Sequence, residues 1–133
     1  MVAEQDQISD QEAAHITKTE ELAYELRIHE VMTKNVFSLS PDMEMETALD
    51  IFHERRFSGA PVVEDDQLIG VISIEDLIRA LRDGKLKEKV RDYMSSNLTT
   101  VQSHDPVVEA LKTFAQTNFG RLPVINPEGS LVG

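Results

Sequence analysis

Ile28 to Gly70 reads IHEVMTKNVFSLSPDMEMETALDIFHERRFSGAPVVEDDQLIG, and Val90 to Gly133 reads VRDYMSSNLTTVQSHDPVVEALKTFAQTNFGRLPVINPEGSLVG. Laid side by side, the two stretches share eight identities in one register. Met32 meets Met94, Asn35 meets Asn97, Ala48 meets Ala110 and Leu49 meets Leu111. Phe52 meets Phe114, Phe57 meets Phe119, Pro61 meets Pro123 and Val62 meets Val124. After one extra turn residue, Leu68, Ile69 and Gly70 fall on Leu131, Val132 and Gly133. Chance does not hold a register that long. The chain carries an internal duplication, and its fold is that of a repeated unit.

Each unit reads strand, helix, strand, turn, strand, helix. Val36 to Leu39 is expected as a short strand, and Ser40-Pro41-Asp42 as a helix start, since proline at the first helical position gives up an N–H that has no partner there. Met45, Ala48, Leu49 and Phe52 follow at helical spacing. Ala60 to Val63 and Leu68 to Ile72 are strands around the polar turn Glu64 to Gln67. In the second unit Asp105-Pro106 opens a helix bearing Val107, Val108, Leu111 and Phe114, and Asn126-Pro127-Glu128-Gly129 turns the chain. Asp83-Gly84 ends the helix of the first unit, and 85–89 links the halves. A three-stranded sheet with one apolar face is marginal alone, so the expected architecture is α/β of the α+β kind. In it two β-α-β-β-α repeats, 28–84 and 90–133, pack sheet to sheet about a pseudo-twofold axis.

The corner Gly70 to Asp76, GVISIED, holds the most chemistry. Val71, Ile72 and Ile74 suit a buried strand; Leu77, Ile78 and Leu81 then lie on one face of a helix. Ser73 at the junction and Asp76 three residues later gather a hydroxyl, a carboxylate and unpaired N–H groups at a helix start. That set suits a sugar diol carrying a phosphate. It equally suits a capping box, with Asp in place of the preferred Glu, and the two roles can coexist.

Composition bounds the function. At 133 residues the chain is one domain's worth, with 41% apolar residues and no cysteine. Disulfides, thiolate metal sites and a cysteine nucleophile are excluded together. No apolar run reaches the roughly 20 residues that cross a bilayer, and no signal pattern opens the sequence, so a cytoplasmic location is expected. Twenty-four acidic against 13 basic side chains give a net charge of −11, which disfavours nucleic acid and anionic membrane as partners. Residues 1–27 form an acidic segment, expected to be irregular to about Ala14 and then helical from Thr17 to Arg27. Thr17 or Thr19 would cap that helix, and Leu22, Ala23 and Leu26 would line its apolar stripe.

Three stretches together carry a resemblance: Val31-Met32-Thr33 before the first strand, Phe57-Ser58-Gly59-Ala60-Pro61-Val62-Val63, and Gly70 to Asp76. With the duplication, they resemble a tandem pair of cystathionine-β-synthase-type (CBS) domains, a Bateman module, over Ile28 to Gly133. The resemblance implies a regulatory, allosteric module rather than an enzyme. It requires no cofactor and binds an adenosine-containing effector (AMP first, or ADP, ATP or S-adenosylmethionine). The module would control an attached domain or partner protein and form a homodimer. It further implies that Ser73 and Asp76 face Met94 to Thr100 and Phe119-Gly120-Arg121-Leu122-Pro123. Asp76 would accept the ribose hydroxyls, and Ser73, the free N–H groups and Arg121 would hold phosphate. Adenine would lie among Ile72, Leu98 and Leu122, read by backbone near Leu98, Thr99 and Thr100.

The remaining candidates read more plainly. Arg55 and Arg56 suit a helix C-terminus, and Glu64-Asp65-Asp66 a solvated turn. His15, His29, His53 and His104 show no metal-ligand spacing, so no metal site is expected. The second repeat stops at Gly133, the counterpart of Gly70. A second cleft lined by Met32, Phe37, Phe57 and Ser58 is therefore expected to lack its sugar-binding acid, and apolar surface near Phe114 and Val124 to need cover.

Overall fold

The computed structural model describes residue 18 and residues 21–133. The expected irregular segment to Ala14, the caps Thr17 and Thr19, and His15 lie outside the described residues. Within them, 21–25 are helical and Leu26 N–H closes onto the Leu22 carbonyl at 2.9 Å. The elements that follow are α1 (Ile28–Val31), α2 (Met45–Arg55), β1 (Gly59–Glu64), β2 (Gln67–Ser73), α3 (Ile74–Arg82), α4 (Val90–Tyr93), β3 (Val101–Gln102), α5 (Val107–Gln116) and β4 (Val124–Ile125). The fold is mixed α+β. Among the described residues no helix is long and apolar enough to cross a membrane.

β1 and β2 form an antiparallel hairpin closing at Glu64↔Gln67, with a bulge at Val62/Val63. Its two turn residues, Asp65 and Asp66, both have positive φ (51° and 66°), the left-handed pair that matches the twist of a tight hairpin. The strand expected at Val36 to Leu39 contracts to a single parallel pairing of Leu39 with Val62. Asn35, at φ 56°, interrupts the extended run before it. In the second repeat β3 pairs with β4 in parallel, Val101 with Val124, at the corresponding place.

The first long helix begins at Met45, not at Pro41. The reason lies in the other repeat. The carbonyls of Pro41 and Met43, which a helix starting there would take, accept N–H groups from Arg91 (2.9 Å) and Val90 (2.8 Å). The second repeat shows the mirror image: Ser103 and Asp105 carbonyls accept from His29 and Ile28, each at 2.9 Å. Isolated bridges Glu44↔Lys89 and Arg27↔Pro106 complete the reciprocal set. This is the pseudo-twofold axis, written in hydrogen bonds.

The exchange also sorts the apolar residues. Val90 of α4 is fully buried in the first core with Leu39, Met45, Ala48, Phe52, Ala60, Val62, Ile72, Leu77 and Ala80. Ile28 of α1 is buried in the second core with Val101 and Val124. Each repeat is thus finished by the short entry helix that precedes its partner.

Candidate functional site

β2 runs into α3 with no intervening loop, and Ser73 is the N-cap, its backbone still extended. Its Oγ accepts the Asp76 N–H at 3.4 Å. In return Asp76 Oδ2 accepts the Ser73 N–H at 2.8 Å and the Ser73 hydroxyl at 2.9 Å. The capping box is closed in both directions. The Ile74 N–H is also taken, by the Ser58 carbonyl at 3.0 Å. The free donors expected at this helix start are therefore fewer: of the first three N–H groups, those of Ile74 and Asp76 are engaged.

Asp76 does not meet Arg121. Its cation is Arg79, one turn along the same helix, whose Nη2 donates to Asp76 Oδ1 at 3.1 Å and to the Tyr93 carbonyl at 3.2 Å. The same guanidinium lies 5.3 Å from the Tyr93 ring centroid. The Tyr93 hydroxyl donates to Asp83 at 3.3 Å. Burial holds the Tyr93 phenol above its ordinary pKa, and the Asp83 charge adds to the effect while Arg79 opposes it. Neither Arg79 nor Tyr93 stood out in the sequence; only the i, i+3 spacing of Asp76 and Arg79 on a helix could have flagged the pair.

The entry of the second repeat lies against this corner. Val71 and Ser95 exchange two backbone hydrogen bonds, at 3.0 and 2.9 Å, two residues before Ser73. Met94 occupies the space a Cβ on Gly70 would need, its Sδ lying 2.5 Å from that point. Glycine is required there by close approach, not by backbone angle. Leu98, Thr99 and Thr100 follow, each half-buried, and the Val101 N–H bonds to the Pro123 carbonyl at 3.1 Å. That bond brings Leu122 and Pro123 beside Thr100. Further out, Phe119 is exposed, Gly120 has no atom near its missing side chain, and Arg121 is exposed with no ion pair or hydrogen bond among the described residues.

Ile72 is placed differently from expectation. It is fully buried in the first core and has no side-chain face to offer a base. Strand alternation puts Val71 and Ser73 on the other side of β2. In the second expected cleft, the Phe37 and Phe57 rings are 5.8 Å apart, with the Arg55 guanidinium 4.1 Å over Phe37. Phe57 also borders an apolar cleft of about 330 Å³ with Leu49, Phe52, His53, Arg56 and Ile74. Met32 stands apart from them, packed on the second core beside Gly133, as Met94 packs beside Gly70.

The family model for the CBS domain matches residues 28–83 and again residues 90–133. The chain belongs to the CBS domain family. Its two matched CBS segments coincide with the halves of the duplication. An uncharacterized protein of Methanocaldococcus jannaschii is 30% identical over 108 residues, covering 81% of this chain and 36% of the relative; the chain spans little more than a third of that protein. A CBS domain-containing protein of Dictyostelium discoideum is 32% identical over 119 residues, covering 80% of this chain and 82% of its own length. Among solved structures, the CBS-pair protein CBSX2 of Arabidopsis thaliana, in its complex with AMP, superposes with a TM-score of 0.70. It is 27% identical, with 80% of this chain and 87% of that one covered.

Proposed function

We propose that this chain is a regulatory CBS pair that binds an adenosine-containing nucleotide, AMP first, between its repeats and thereby controls an attached or partner protein. The observation that carries the reading is the seam at Val71 and Ser95, which sets the Ser73–Asp76 corner of one repeat against the entry segment of the other. The AMP complex of CBSX2, a 27% identical protein of the same fold, supports the choice of ligand class. Asp76 would take the ribose hydroxyls, Ser73 and Arg121 the phosphate. Leu98 and Leu122 would flank the base near Thr99 and Thr100, and Phe119 to Pro123 would form the far wall. Binding would act by favouring one arrangement of the two repeats over others. The cleft near Phe37, Phe57 and Ser58 would be the weaker site.

A homodimer fits the same reading, because Ile74, Ile78 and Leu81 leave an exposed apolar stripe along α3. The acidic balance argues against nucleic acid and anionic membrane, and a cytoplasmic setting agrees with the absence of cysteine. One observation favours a second reading: the fully closed capping box at Ser73 and Asp76 is what a ligand-free dimerisation module would show. Calorimetric titration with AMP, ADP, ATP and S-adenosylmethionine separates the two. Saturable binding lost in Asp76→Ala and Arg121→Ala supports the nucleotide module. No binding, with Asp76→Ala costing about 1 kcal/mol of stability, supports the cap alone.

A further inference from the structure

A carboxylate offers about four lone-pair sites. At Asp76, Oδ2 already accepts two donors from Ser73, and Oδ1 accepts one from Arg79. One site is left, and a vicinal diol needs two. A ribose can be bound only if one donor leaves. The Ser73 hydroxyl is the easier to release, since it turns about a single bond and its backbone N–H stays on Oδ2. Arg79 is held at three points: the carboxylate, the Tyr93 carbonyl and the Tyr93 ring. Once Ser73 turns away, each oxygen of Asp76 has one open site, the pattern that two adjacent hydroxyls match.

We propose that Arg79 is the positioning residue through which this site distinguishes a ribose from a deoxyribose; the proposal rests on the nucleotide reading above. The guanidinium orients Asp76 while leaving one acceptor position open on each oxygen. Because its other hydrogen bond goes to the last residue of α4, the acid of the first repeat is set in the frame of the second. Arg79 touches no nucleotide itself. It acts on the ligand only through Asp76.

The test compares AMP with 2′-deoxy-AMP by calorimetry on the whole chain, with Tm recorded for each variant. Hydrogen bonds to a charged group discriminate by roughly tenfold or more, so the wild type should prefer AMP by about that ratio. A ratio of one sets the baseline without discrimination. Arg79→Ala should bring the ratio to within about twofold of that baseline, and Arg79→Lys, which keeps the charge but not the planar fork, should restore part of it. A role in stability alone would weaken both nucleotides equally and leave the ratio standing, and that result overturns the proposal while sparing the nucleotide reading. A wild type that binds both nucleotides equally, or neither, overturns the ribose reading itself.

Discussion

Phe52 and Phe114 occupy the same position in the two repeats, yet Phe52 is 2% exposed and Phe114 is 38% exposed. Residue type and helix register are the same. What differs is the layer above. α3 lays Leu77 and Ala80 into the cluster that holds Phe52, whereas α5 buries none of its own residues among those described. Duplication copies a sequence pattern, but burial depends on what lies across from it. The first repeat consequently holds the larger buried cluster, while Leu111 and Phe119 of the second stay exposed along with Phe114.

The largest expected effect tests this asymmetry directly. Phe52→Ala should destabilise by about 3–5 kcal/mol, as large core deletions do, while Phe114→Ala should cost under about 1 kcal/mol. Urea unfolding of both variants measures it, and equal costs would erase the distinction. Next comes the seam between the halves. Gly70→Ala forces a methyl against Met94 and the Ser95 carbonyl and should cost about 1–3 kcal/mol in the same assay. A neutral outcome would mean that the entry segment does not press on β2. Ser73→Ala removes the cap of α3, a helix with no described counterpart in the second repeat. It should cost about 1 kcal/mol. The smallest effect concerns Tyr93, whose counterpart in register is the exposed Val31. Its phenol is held above the ordinary value of 10.0 by burial and then by Asp83. The contribution to stability is complete below that ordinary value and is lost only as pH rises through the higher folded value. Ultraviolet titration should find the phenol ionising later than free tyrosine, and Asp83→Asn should bring it back part of the way.

Much of this was legible in the chain itself. The duplication located both repeats, and the Ser73-x-x-Asp76 spacing foretold a capped corner that the structure closes in both directions. The helix starts later than its pattern suggests because the Pro41 and Met43 carbonyls bond across the pseudo-twofold axis to Arg91 and Val90, which no local pattern records, and the strand before it is shortened where Asn35 turns left-handed. The resemblance implies Ile72 beside the base, whereas strand alternation turns it into the first core, as its β-branched run suggests. Arg79 escaped notice because an exposed arginine on a polar helix face looks like any solvated charge until Tyr93 is seen beneath it.

The central claim is that one nucleotide contacts both repeats at the seam. Amide chemical-shift mapping of the whole chain during AMP addition tests it most directly. The account predicts shifts that saturate together at residues 71–79, 93–100 and 119–123. Shifts confined to one repeat, or none at saturating AMP, would contradict it.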